Sequence, residues 1–261
     1  MGSNSKNKVR EQFRRELKHH LAGWLEKFSS DFSEREFKRE LANLKKDSVY
    51  TAFGFAIPEY VLIRLMGRVS ISIGRRLGEI YDKIPRIITQ ARFKLSEKEV
   101  APKIAQKLEL DICVPLAHIS KTDARHVANV VWRHLQYKKL TGGLGIEIRY
   151  NFNPNDSARL RKDVDMANLL KKAKLLPVYL IFSSISPRDE AIARLKRAGW
   201  TFLVGDKASK FMQTLIGMDF EKSLREVRND LDSEVAKIMR EIYTSHAMRK
   251  TLEPYYKKLV L

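Results

Sequence analysis

Apolar residues recur along the opening part of the chain at the three- and four-residue steps of a helix. Val9, Phe13, Leu17, Leu21, Leu25 and Phe28 form one such stripe, with Trp24 beside them. Ser33-Glu34-Arg35-Glu36 has the spacing of a capping box and predicts the start of a second helix carrying Phe37, Leu41 and Leu44. After Pro58 the run EYVLIRLMGRVSISIGRRLGEIYDKI predicts a long helix, broken or bent between Gly67 and Gly74. From Leu108 the grammar changes. LELDICVPL and LGIEIRY alternate with period two, VYLIFSS is continuously apolar, and WTFLVG follows. Helical stretches lie between them at roughly 122–138, 156–174, 187–198 and 208–216. This alternation predicts an α/β fold in which the run from Val178 to Phe182 is buried on both faces. In the tail, Phe220, Leu224, Val227, Leu231, Val235, Ile238 and Ile242 predict one more helix, from Asp219 to about Lys250, that covers the sheet or dimerises.

No internal repeat or low-complexity linker separates these segments. The expectation is one domain: a helical N-terminal region over residues 1–57, an α/β core over 58–217 built on a central mixed sheet flanked by helices, and a C-terminal helical region over 218–261. Within LGIEIRY, strand geometry places Leu144, Ile146, Ile148 and Tyr150 on one side and Gly145, Glu147, Arg149 and Asn151 on the other. Two charged groups on one face of a buried strand are costly unless the charge has a use. The same alternation in LELDICVPL puts Leu108, Leu110, Ile112 and Val114 on one side, with Glu109, Asp111 and Cys113 opposite.

Charge changes the picture most. Fifty Lys and Arg against 31 Asp and Glu give a formal net charge of +19 over 261 residues. A folded chain this basic points to a polyanionic partner, of which nucleic acid is the commonest. A hydrophobic content of 44% supports a sizeable core, and no run approaches the roughly 18 apolar residues of a membrane helix. The chain carries no signal-peptide pattern, Met1-Gly2-Ser3 reads as a remnant outside the fold, and the lone Cys113 fits a reducing cytoplasm while supplying neither a disulfide nor a zinc cluster. There is no P-loop, no G-x-G-x-x-G and no histidine spacing suited to a metal.

What remains is a pair of carboxylates, Asp111 and Glu147, on the polar faces of successive strands, with Arg149 beside the second. Hard divalent cations such as Mg²⁺ take carboxylate oxygens while keeping waters and substrate phosphate oxygens. Phosphodiester hydrolysis uses that arrangement, and an adjacent side-chain cation helps to neutralise developing charge.

The stretch GIEIRYNFNPNDSARLRKDV…LLPVYLIFSS resembles the core of type II restriction endonucleases of the PD-(D/E)xK nuclease superfamily. In that superfamily a strand aspartate is followed by a strand bearing Glu-x-Lys, then by a helix and another strand. The resemblance covers roughly Glu79 to Gly205 and implies a restriction-endonuclease-like core. Asp111 and Glu147 would be its metal ligands, Arg149 would stand at the lysine, and Glu79 in GRRLGEIYDK would be the glutamate such enzymes carry on a helix before the sheet. Two departures stand out. The carboxylates lie 36 residues apart, which requires the helix around Val127 to His134 as an insertion, and arginine replaces lysine. A guanidinium stays charged, so it can stabilise a phosphorane or position water but cannot act as a base. Lys162 is a candidate for a displaced ammonium, although a surface lysine on a basic helix explains it more simply. Asn151, Asn153, Asn155 and Asp156 around Pro154, and Asp123 near His118, are explained by turn and cap chemistry.

The resemblance implies a Mg²⁺-dependent endonuclease cutting double-stranded DNA at a short site, with a homodimer matching a palindrome. The rivals are a non-catalytic DNA- or RNA-binding protein on a basic α/β scaffold and a structure-selective nuclease.

Overall fold

Ser33 caps a helix, as its spacing predicts. In the computed structural model, which describes residues 32–105, 108–150, 157–184, 189–217 and 228–259 and single positions among 11–30 and 219–225, its hydroxyl accepts the N–H of Glu36 and opens α1 (Glu34–Lys46). Asp47 ends α1 and caps α2 (Ser48–Ala52), accepting the N–H groups of Val49 and Tyr50. Pro58, whose missing N–H is harmless at a first helical position, opens α3 (Pro58–Phe93). This helix runs unbroken through Gly67–Gly74, where the sequence predicts a break or a bend. A glycine inside a helix costs only about 1 kcal/mol, and the buried stripe Val61, Leu65, Val69, Ser72 resumes at Ile80, Ile84 and Ile88. The predicted helix over residues 9–28 lies outside the described residues.

The chain forms two compact units, and the boundary between residues 76 and 77 falls inside α3. The larger unit, residues 77–225 with residues 1–11, holds the sheet. Its further elements are α4 (Glu97–Val100), β1 (Lys103–Ala105), β2 (Leu108–Glu109), β3 (Ile112–Pro115), α5 (Lys121–Leu135), β4 (Gly143–Arg149), α6 (Ser157–Lys172), β5 (Leu175–Ile181), α7 (Asp189–Ala198), β6 (Thr201–Val204) and α8 (Asp206–Ile216). β1 and β2 pair with each other. The main sheet has the order β3-β4-β5-β6, antiparallel at β3–β4 and parallel thereafter. The fold is therefore α/β with a mixed four-stranded sheet flanked by helices. As predicted, β5 is buried on both faces from Val178 to Ile181; Phe182, just beyond it, is half-buried.

Register sorts the sheet into two unequal faces. Ile112, Val114, Leu144, Ile146, Ile148, Val178 and Leu180 make the β3–β5 part of one side apolar and buried, with the half-buried Thr201 of β6 at its margin. Cys113 pairs with Gly145, Glu147 with Tyr179 and Arg149 with Ile181, so the charged pair lies on the other side. That side is covered by α6 and α7 through Met166, Ala167, Leu170, Ile192 and Leu195. LELDICVPL is two short strands interrupted at Leu110–Asp111 rather than one. The interruption resets the alternation, and Leu108 and Leu110 pack with Cys113 and Tyr179, opposite to the predicted face.

In the smaller unit, residues 12–76 and 226–261, the described part of the tail is two helices where one is predicted: α9 (Arg228–Thr244) and α10 (His246–Leu259). Ser245 separates them, donating to the carbonyl of Ile242 and accepting the N–H of Met248 as a new cap. Ile238 and Ile242 are buried as the pattern requires, whereas Val235 is exposed. Phe220, Leu224 and Val227 lie outside the described residues, and the side chain of Leu231 does as well.

Gly143 opens β4 with φ at 136°, and a Cβ there would stand 2.2 Å from the Val114 carbonyl oxygen. Gly143→Ala should destabilise the protein by about 2 kcal/mol or more. Gly67→Ala, with nothing within 4 Å of the added carbon, should stabilise it by about 0.5–1 kcal/mol. Chemical denaturation of both variants measures the contrast.

Candidate active site

β4 carries Glu147 and Arg149 beneath α6, so the polar face of this strand is no solvated edge: Glu147 is only 7% exposed. Arg149 forks between two carboxylates. Its Nη1 donates to Asp111 Oδ2 at 3.0 Å, and its Nη2 donates to Glu147 Oε1 at 2.5 Å. Asp111 sits at the bend before β3, and the same Oδ2 accepts the Ile148 N–H at 2.7 Å. A side chain thus continues the β3–β4 ladder where the backbone leaves it. Two buried atoms of this trio, Glu147 Oε2 and Arg149 Nε, have no hydrogen-bond partner among the described residues.

A second ring of groups surrounds the trio. Arg86 of α3 donates through Nε to the Asp111 carbonyl at 2.9 Å, and through its terminal nitrogens to Glu109 at 2.9 Å and Asp82 at 3.2 Å. From α6, the buried Asp163 accepts the Tyr179 hydroxyl at 3.0 Å, while its carbonyl accepts the Trp200 indole N–H at 2.7 Å. The Arg149 guanidinium lies 5.8 Å from the centre of the Tyr179 ring. Glu109, Glu147, Arg149, Arg159, Lys162 and Asp163 line a pocket of about 300 Å³ with Leu108 and Met166.

These surroundings disturb the acids. Burial first, and then the Asp111 charge, push Glu147 up to about 8 against the opposing pull of Arg149. Burial and Asp111 likewise raise Asp82 to about 6, and burial raises Asp163. Burial disfavours the charge on Arg149, but Glu147 and the neighbouring acids outweigh it and hold the guanidinium protonated. Cys113 is no nucleophile here, because burial pushes its thiol up to about 12.

Asp111, Glu147 and Arg149, singled out in the sequence, are thus brought together, although Asp111 precedes its strand rather than lying in it. Glu79 is half-buried on α3. From the same helical face, seven residues further on, Arg86 reaches the Asp111 carbonyl and is itself held by Asp82. Lys162 is an exposed residue lining the pocket. Asp123 pairs with Ser120 and Arg92, and His118 with Glu99, as structural groups. Asn151, Asn153, Asn155 and Asp156 lie outside the described residues. Sequence reading missed Asp163, whose signal was an acid within the apolar stripe Leu160, Ala167, Leu170 of its helix.

The donor set suits a hard cation. Two carboxylates, one of them with an unpartnered buried oxygen, are oxygen ligands, and Mg²⁺ commonly takes one or two carboxylates and completes its shell with water and substrate. Among the described residues no group of three His, Cys, Asp or Glu side chains stands ready to hold a metal unaided. None of their helices is long and apolar enough to cross a membrane. No protein-family model, curated protein or solved structure matches the chain.

A carboxyl whose folded pKa is raised favours folding while protonated, and that contribution is lost as pH rises through the folded value. For metal-free protein in chelator, Glu147 should therefore lower stability progressively between about pH 5 and pH 8, by on the order of 1 kcal/mol per pH unit. Urea denaturation across this range should show the decline, and Glu147→Gln should flatten it; parallel curves would refute the assignment.

Proposed function

We propose that the protein is a Mg²⁺-dependent endonuclease acting on double-stranded DNA, with a restriction-endonuclease-like core. The observation that carries this reading is the buried Glu147, with one oxygen unpartnered, beside Asp111 and Arg149. The order of parts supports it. An aspartate at the entry to one strand, Glu-x-Arg on its antiparallel neighbour, a helix and then a parallel strand follow the order that the resemblance to PD-(D/E)xK nucleases implies. The net charge of +19 supports a polyanionic substrate.

In this reading Asp111 and Glu147 hold the ion. A bound Mg²⁺ supplies Lewis-acid polarisation of the phosphate and a more acidic water. Burial of Glu147 under α6 keeps competing solvent from its oxygens and strengthens every charge interaction in the pocket. Arg149 supplies fixed positive charge to the scissile phosphate and takes no proton, because its guanidinium is held charged. Arg159 and Lys162 add positive charge to the same pocket and draw the strand backbone toward it. A homodimer would place two such sites on a palindromic duplex, and a protein of this kind would work in the cytoplasm. One observation favours the rival DNA-binding reading: Arg149 already occupies both carboxylates, as it would in a site that no longer cuts.

Plasmid digestion with Mg²⁺ separates the two. Asp111→Asn and Glu147→Gln should abolish cleavage while DNA affinity stays level or rises, since a negative charge near phosphate is removed. Arg149→Ala should slow single-turnover cleavage by roughly 10²–10³-fold. A parent protein that shifts DNA on a gel without cutting it would establish the binder.

Binding itself should weaken steeply with salt, each neutralised phosphate adding about −0.9 to the slope of log K against log salt. A slope near zero in a fluorescence-anisotropy titration would remove nucleic acid as the partner.

A further inference from the structure

Arg149 stands where the two carboxylates converge, one terminal nitrogen on Asp111 and the other on Glu147. A cation shared by these residues would need the same oxygens. The arrangement is also incomplete, because Arg149 Nε and Glu147 Oε2 are buried without partners among the described residues. An unpaired buried donor and an unpaired buried acceptor on one ion pair mark an arrangement with a better-satisfied alternative.

The alternative is adjacent. Asp163 is 6% exposed, lines the same pocket as Arg149 and Glu147, and presents a carboxylate steadied by the Tyr179 hydroxyl. The Tyr179 ring is already beside the guanidinium. β4 is held by β5 as far as Arg149, opposite Ile181, and by the Asp111 side chain at Ile148, so its backbone is fixed and only the Arg149 side chain has to turn.

Charge counting argues for the same exchange. With both carboxylates ionised, as metal ligands must be, the two acids and one guanidinium leave the trio with one negative charge. A divalent ion added without any movement would face a guanidinium at contact distance, and like charges in a buried site repel strongly. With Arg149 turned to Asp163, each cation has an acid of its own, Glu147 Oε2 gains a positive partner, and Arg149 Nε leaves the position in which it has none.

We propose that Arg149 is a built-in counter-ion that must release Asp111 and Glu147 before a divalent cation binds, and that Asp163 is the seat its guanidinium takes up. The inference rests on the metal-dependent reading above. Arg149 then couples metal to substrate. A DNA phosphate offers the displaced guanidinium a further partner and the ion a further oxygen, so the free protein binds metal weakly and the protein–DNA complex binds it tightly. Asp163 is a positioning residue in this scheme.

Mn²⁺ binding followed by the loss of the free-ion electron paramagnetic resonance signal tests this without any cleavage. Arg149→Met should bind Mn²⁺ about tenfold or more tighter than the parent, because the competing charge is gone. Asp163→Asn should bind it several-fold more weakly, and Glu147→Gln should lose it. Arg149→Gln, which keeps a hydrogen-bond donor, serves the same purpose if circular dichroism shows the methionine form unfolded. Folded Arg149 variants that bind Mn²⁺ no tighter than the parent overturn the counter-ion and leave the metal-dependent reading standing. Asp163→Asn binding at parental strength overturns the seat. No Mn²⁺ bound by the parent or by any folded variant, with or without DNA, overturns the metal-dependent reading and the inference with it.

Discussion

A guanidinium shared between two carboxylates is what allows β4 to be an inner strand. Without Arg149, the sheet would have to bury Glu147 and Asp111 beneath α6 uncompensated, and leaving one member of a buried ion pair alone typically costs 3–5 kcal/mol. With it, the charged face can be roofed by Met166, Ala167 and Leu170 while the opposite face of β3–β5 remains apolar. The exchange is not complete, since two atoms are left without partners. On the metal-dependent reading proposed above, that deficit is what a site that opens to a ligand needs.

The components of the site come from several elements, and each has a separate reason to be where it is. The bend at Leu110–Asp111 frees the aspartate from strand alternation and lets its side chain reach across to the Ile148 N–H. α3 fixes the bend from outside through Arg86 on the Asp111 carbonyl. α6 supplies Asp163 from its core-facing side, and β5 supplies Tyr179 directly across from Glu147 in the parallel register. The result is a row of alternating charge, Asp82, Arg86, Asp111, Arg149, Glu147, in which burial and like-charge neighbours raise the outermost acids.

Periodicity made the elements legible. The change from a helical step to alternation at Leu108, the continuous apolar run of β5 and the helices between strands could all be read along the chain, because one buried face per element leaves a regular imprint. Interruptions were harder to see. Ser245 divides the tail through a side-chain cap, and Asp111 divides a strand through a side-chain hydrogen bond; neither disturbs the spacing of the apolar residues around it. Conversely, Gly67–Gly74 looked like a break and is none, since packing along α3 outweighs the glycine cost. In the site, Glu147 and Arg149 were visible as charges out of place in a strand. Asp163 was a charge out of place in a helix, which is easily mistaken for a solvated position, and the contributions of Asp82 and Arg86 depend on how α3 passes the sheet, which no local pattern records.

The Asp111–Ile148 hydrogen bond has a consequence for how the sheet finds its pairing. Strand alternation means that sliding β4 by one residue would turn Glu147 and Arg149 toward the side now filled by Ile112, Val114 and Val178, and turn Ile146 and Ile148 toward Asp111. Most sheets reject such slips through differences in apolar burial alone. Here the wrong alignment would also strand three charges in separate environments, so the polar trio acts as a lock and key between β3 and β4. The charged residues buried in the sheet are the same ones that tell the two strands when they are correctly aligned.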